Sequence, residues 1–323
     1  MRGILALLVI LGHVLTQLDA TDEFGYNVLY GFGQVIYSFH MPAFFIVSGF
    51  VGIKATECDT VKKKWEFVKN KFLRLMVPYF VMGVLYLPFR ILLSKIARSE
   101  YSITEFPKIL IGENPDGALW FLYTLFLVSV IICLVTTRKN IYIVAVITFL
   151  LYLSTLFISY PAVILTRLAT YLFFYVAGIC IRMNYDAVVD KLKEYRWKIL
   201  VASAVLFVIG NVLRSGLGIS LAHILTVTSG TGIVWSAALI IIGNEEGLTF
   251  KGCNLFGDYS MDLYIFGEPI KVVTRTVFGF LPLLIMAPLT FVVTVVVSIV
   301  VSWLIIRRVK IFRVLFLGER IRG

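Results

Sequence analysis

The chain has 323 residues, of which 59% are hydrophobic and only 15% charged, with a mean hydropathy of +0.92. Soluble domains carry about 25% charged residues, so a water-soluble fold is excluded, and the repeated long apolar runs exclude a signal peptide on a soluble domain. The net charge of +11 does not read as a nucleic-acid surface, because Lys and Arg gather at the ends of apolar runs, where they orient a membrane protein.

A membrane-crossing helix needs about twenty apolar residues, and on that measure ten spans are expected, at about 3–18, 28–53, 72–93, 118–136, 140–159, 162–182, 197–216, 219–242, 256–277 and 281–306. The first holds His13 inside the run Ile4 to Leu15, with Arg2 at its start. An ionisable side chain at membrane depth is costly and marks a candidate functional site. Eleven residues at about 100° each return almost to the starting direction, so Arg2 and His13 share a helix face, about 16 Å apart along the axis.

The second span carries Phe39-His40-Met41-Pro42 and then Phe44-Phe45-Ile46-Val47-Ser48-Gly49-Phe50. Pro42 predicts a kink just before it. His40 lies beside that kink, either as an acid/base group or simply as a donor to freed carbonyls. Ser48-Gly49 suits close helix packing. Lys62 to Tyr79 predicts a surface helix running into the third span, with Lys71 and Arg74 on one side. It reads either as headgroup contact or as a phosphate-binding patch. The fourth span opens at Trp120, an interfacial anchor by position.

The ninth span is interrupted by Asp262, Gly267, Glu268 and Pro269, which predicts a broken or cavity-lining helix. Glu268 needs a partner such as Arg275, seven residues on, or a catalytic role. Ten spans with both termini cytoplasmic put 22 of the 30 Lys and Arg inside, leaving Arg90, Lys95, Arg98, Lys108, Arg167, Arg214, Lys271 and Arg275 outside. The first outer loop, with Asp19, Asp22 and Glu23, has no basic residue. Four cysteines without CxxC spacing indicate neither a disulfide framework nor a metal site. No internal or inverted repeat is visible, and one integral-membrane domain over 1–323 is expected. The fold class expected is all-α and polytopic.

Six markers in order resemble the acyltransferase 3 family of multi-pass membrane acyltransferases. They are Arg2 to His13, Phe44 to Phe50, Lys71-Phe72-Leu73-Arg74-Leu75 with Pro78-Tyr79, Leu119-Trp120-Phe121-Leu122, Phe173 to Gly178, and Ser260-Met261-Asp262-Leu263-Tyr264-Ile265. Two departures stand out. The family's arginine pair is Lys71 and Arg74 here, and the ninth-span histidine position is Gly267, followed by Glu268. The first span also begins almost at residue 1, so a few residues missing upstream, or a late start codon, would leave out an acidic residue before Arg2.

The resemblance implies an acyl-CoA donor, usually acetyl-CoA, and a hydroxyl acceptor on a glycan or lipid-linked sugar at a bacterial cell membrane. On that reading His13 is the general base or transient acyl carrier. Arg2, Lys71 and Arg74 hold the CoA phosphates. Glu268 and His40 join the catalytic group, while Trp120, Tyr264 and Ser48 are candidates for substrate contact. The rival expectation is a proton-coupled transporter or polysaccharide exporter, since buried His and Glu suit such a carrier.

Overall fold

Apolar residues run around the whole circumference of most helices, and such helices are stable only inside lipid or a protein core. The computed structural model describes residues 1–18, 23–92, 103–243 and 247–319. Asp19, Asp22, Lys95, Arg98, Arg320 and Arg322 lie outside the described residues. The protein is an all-α integral membrane protein, 85% helical with no strand among the described residues.

The helices are α1 (Arg2–Thr16), α2 (Glu23–Tyr37), α3 (His40–Val51), α4 (Val61–Lys71), α5 (Val77–Leu92), α6 (Trp120–Val135), α7 (Ile141–Ser154), α8 (Val163–Glu194), α9 (Arg196–Asn211), α10 (Ala222–Ile242), α11 (Leu248–Asp258), α12 (Ser260–Phe278), α13 (Leu283–Val301) and α14 (Lys310–Leu317). Seven stretches are long and apolar enough to cross a membrane: Phe24–Val51, Val61–Ile91, Gly117–Val135, Val163–Glu194, Arg196–Gly216, Ala222–Ile242 and Leu283–Ile306. The spans expected around 3–18 and 140–159 are present as α1 and α7 but are only 15 and 14 residues long. Four charges (Asp262, Glu268, Lys271 and Arg275) keep α12 out of that set.

Burial sorts the bundle. Over half of the Gly117–Val135 span is buried, against 11% of Arg196–Gly216, so α6 is central and α9 faces lipid. α3 crosses α8 closely. A methyl on Gly49 would strike the Tyr175 carbonyl, and one on Gly178 would strike the Ile46 carbonyl. The small face at Ser48-Gly49 therefore packs, and two of the ordered sequence markers meet each other there. Gly178→Ala should lower stability by about 1–3 kcal/mol, as overpacking does. Gly252→Ala, where nothing lies within 4 Å of the added methyl, should not. Thermal unfolding in detergent separates the two.

Both described ends of the chain lie at one end of the bundle. Gly318, left-handed at φ +61°, packs on the backbone of Arg74, and Gly3 of α1 abuts Cys253 and Gly257 of α11. Arg2 and Arg74 line one cavity between these contacts. We call this the basic end.

Two expectations change in detail. The kink expected before Pro42 is a complete break at Ser38-Phe39, after which α3 restarts at His40. Pro42 then sits in the first turn of α3, where a missing N–H costs nothing. In the ninth span, Gly267 and Pro269 do not interrupt the helix: α12 is continuous, and the chain bends instead at Tyr259, between α11 and α12. Asp262 is no breaker either. It is buried in the first turn of α12, where it accepts hydrogen bonds from Ser302 and from Arg307 (Nη2 to Oδ2, 2.7 Å), so it clamps α12 to the end of α13.

Candidate active site

His13 lies three residues before the end of α1, half-buried, with α2 and α12 beside it. Gly12 leaves room for the Tyr37 ring against α1, since a methyl there would touch that ring at 2.9 Å. The close approach brings the Tyr37 hydroxyl to 3.0 Å from His13 Nδ1, and the Gln17 amide lies 3.3 Å from the same nitrogen. Tyr37 also meets His40 edge-on, with ring centroids 4.8 Å apart.

Glu268 and Lys271 enter this cluster from α12, three residues apart and on one helix face. Their ion pair is 2.6 Å long, with Lys271 only 3% exposed. The Lys271 ammonium also donates to Gln17 Oε1. A polar chain thus runs Glu268–Lys271–Gln17–His13–Tyr37. Arg275, expected as the partner of Glu268, instead donates to the Gln17 carbonyl. Lys271, counted above among the outer-side charges, is buried inside the bundle.

His40 is buried at the helix break. Its Nδ1 is 2.9 Å from the Ile36 carbonyl, and Ser38 Oγ donates to the Val35 carbonyl. A carbonyl only accepts, so the His40 proton sits on Nδ1. Ser38 thus caps one carbonyl at the break, and His40 adds a second donor to the Ile36 carbonyl, which also accepts from the Phe39 N–H at 3.3 Å. The geometry gives His40 the helix-break role that the sequence left beside the catalytic one.

Toward the other end of the bundle, the loop before α6 folds inward. Asp116 is fully buried, with Oδ1 accepting from the Ala118 N–H while Oδ2 has no hydrogen-bond partner. Tyr264 of α12 donates to the Ala118 carbonyl and so ties this loop to the His13 cluster. Trp120 points elsewhere: it carries the Arg167 guanidinium 4.7 Å from its ring and packs on Tyr171.

Two cavities meet at Tyr264. One, of about 10 Å³, lies among His13, Ala118, Gly267, Glu268 and Lys271. Such a space holds about one water. The other, about 150 Å³, opens toward the basic end and is lined by Arg2, Ser48, Lys71, Arg74 and Tyr264 among others. Its described wall holds three cations and no carboxylate. Arg74 belongs to a π-helical turn, Phe72–Met76, that joins α4 to α5. Such wide turns cluster at functional sites. Three like charges on one wall suit an anionic ligand with several oxygens, with Asp258 the carboxylate near Arg2 on the adjoining chamber.

A family model described as an acyltransferase domain matches residues 1–307 of the 323. The chain belongs to the acyltransferase 3 family. Searches of curated proteins and of solved structures give no match to it.

The match ends at Arg307, the partner of Asp262, so α14 lies beyond it. Within this acyltransferase domain, Arg2, Lys71, Arg74, Ser48 and Tyr264 share one cavity, while His13 and Glu268 share the adjoining one with Tyr264. Neither wall includes Trp120 or His40. Three members of the cluster were missed from sequence: Gln17, Tyr37 and Lys271. The i,i+3 spacing of Glu268 and Lys271 is a signal that could have revealed one of them. Tyr37 and Gln17 carry none, because their approach to His13 depends on how α1 and α2 pack.

Proposed function

We propose that this acyltransferase moves an acyl group, most simply acetyl, from acyl-CoA at the cytoplasmic basic end to a hydroxyl of a surface polysaccharide or glycan precursor. The membrane would be a bacterial cell membrane. The observation that carries this reading is the pair of adjoining cavities beside α1 and α12, separated by Tyr264. One is lined by the cations Arg2, Lys71 and Arg74, and the other by His13.

On this reading the cations bind the CoA phosphates and the pantetheine arm runs inward past Ser48. The rise from Arg2 to His13, about 16 Å, matches the reach such an arm needs. The space at His13 admits about one water, so the thioester reaches it only when Tyr264 swings off the Ala118 carbonyl. His13 takes the proton of the acceptor hydroxyl, the oxygen attacks the thioester carbonyl, and the C–S bond breaks. The departing thiolate then takes the proton from His13. A His13 that carries the acyl group would use the same nitrogen. Either route uses one ring nitrogen as the base while the other is held by the cluster, and the Tyr37 hydroxyl can donate to or accept from Nδ1. Glu268 and Lys271 hold Gln17 against this ring.

Purified protein in detergent, given radiolabelled acetyl-CoA and glycan from a strain lacking the protein, should place label on the glycan. A proton-coupled carrier needs no acyl donor and would place none. Absence of label with folded protein and de-acetylated glycan would refute the reading.

A further inference from the structure

Next to the cation-lined cavity lies a larger chamber of about 470 Å³, which shares Arg2, Val47 and Val51 with it. Three helices each contribute an aromatic ring: Phe50 from α3, Tyr185 from α8 and Trp235 from α10. Phe50 meets Tyr185 at 5.2 Å and 89°, and meets Trp235 at 5.5 Å and 78°. Tyr185 and Trp235 are 6.1 Å apart. The Arg182 guanidinium lies over the Phe50 and Tyr185 rings, at 5.6 and 6.0 Å, whereas the described ring contacts of Trp235 are edge-on or tilted, and all three side chains are only half-buried.

The chamber lies toward water. The 32 residues of α8 span about 48 Å, against about 30 Å of hydrocarbon. Tyr185 comes 22 positions after Val163, about 33 Å along the axis. Polar groups fill the rim: Asn254, Asp258 and the amino terminus line the same wall. Arg182 also pairs with Asp186 at 3.0 Å.

Planar heteroaromatic bases bind by stacking on such rings, and the phosphates attached to them need cations close by. We propose that the chamber of Phe50, Tyr185 and Trp235 seats the adenine ring of the acyl-CoA donor, with Arg2 at the junction holding the phosphates. The inference rests on the acyl-CoA reading above and adds a subsite to it. Asn254 supplies the hydrogen-bonding edge that a base requires. The donor then lies in order: adenine in the aromatic chamber, phosphates among Arg2, Lys71 and Arg74, and pantetheine toward Tyr264.

Purified full-length protein in detergent tests this by equilibrium binding of CoA and of 4′-phosphopantetheine, which keeps one phosphate and lacks the adenine nucleotide. Wild-type protein should bind CoA at least tenfold more tightly. Trp235→Leu and Phe50→Leu should each weaken CoA about tenfold, a typical value for one stacking ring, and leave phosphopantetheine within twofold. Trp235→Phe, which retains a ring, should recover most of the loss. A CoA bearing a photoreactive azide on adenine should label the segment around Tyr185 or Trp235 in the unaltered protein. Equal wild-type affinity for the two ligands, or labelling elsewhere, would overturn the subsite while leaving the donor reading in place. Wild-type protein that binds neither ligand would overturn the donor reading and the subsite with it.

Discussion

His13→Ala should abolish acyl transfer, with the rate falling by about 10²–10⁴-fold, the usual contribution of a positioned acid/base group. Protein level, membrane insertion and thermal unfolding should stay close to wild type. His13 is half-buried and its described side-chain partners are Tyr37 and Gln17, so little packing is lost. The companion Tyr37→Phe keeps the edge-on contacts to His13 and His40 but removes the hydroxyl at 3.0 Å from Nδ1. It should cost about tenfold, in keeping with about 1–1.5 kcal/mol for one hydrogen bond. Radiolabelled acetyl transfer by the purified variants measures both. Retained activity in His13→Ala would remove His13 from the chemistry altogether.

Lys271→Met is expected to lower both stability and activity, for separable reasons. It strips the counter-ion from Glu268, whose carboxylate is 12% exposed, and breaking a buried pair from one side costs about 3–5 kcal/mol. It also frees Gln17, whose amide is oriented by the ammonium. The double variant Lys271→Met with Glu268→Gln should regain most of the lost unfolding temperature, because no unpaired charge remains. Its acyl transfer should not return if Glu268 and the Gln17 orientation serve His13. Coupling of this kind is what a double-mutant cycle isolates. A double variant as unstable as the sum of the singles would show that Glu268 and Lys271 are not energetically coupled.

Much of the membrane architecture was legible because hydropathy is a one-dimensional property. Long apolar runs give helices, and the positions of Lys and Arg give a direction. The helical run Val61–Ile91 and the stretch Leu283–Ile306 follow the sequence expectation closely. Local chemistry near Pro42 was partly legible. The proline signals that a helix cannot continue normally, but the break falls at Ser38-Phe39, where Ser38 and His40 donate to the Val35 and Ile36 carbonyls. At Gly267-Glu268-Pro269, of the two expectations, the break is absent and the cavity-lining helix is found. The helix tolerates its proline, and Glu268 gains Lys271 one turn away, so no break is needed.

The sequence by itself determined that the protein is a helical membrane protein of the acyltransferase 3 family, and it placed Arg2 and His13 on one helix face. Helical periodicity alone suffices for that, since both residues ride on one element. Only the tertiary structure decided which distant side chains meet them. Tyr37, Lys271 and Arg74 reach α1 from three other segments of the chain. That convergence depends on close crossings such as Gly12 against Tyr37 and Gly49 against Tyr175. Such contacts are set by the shape of packed surfaces, which hydropathy and spacing do not encode.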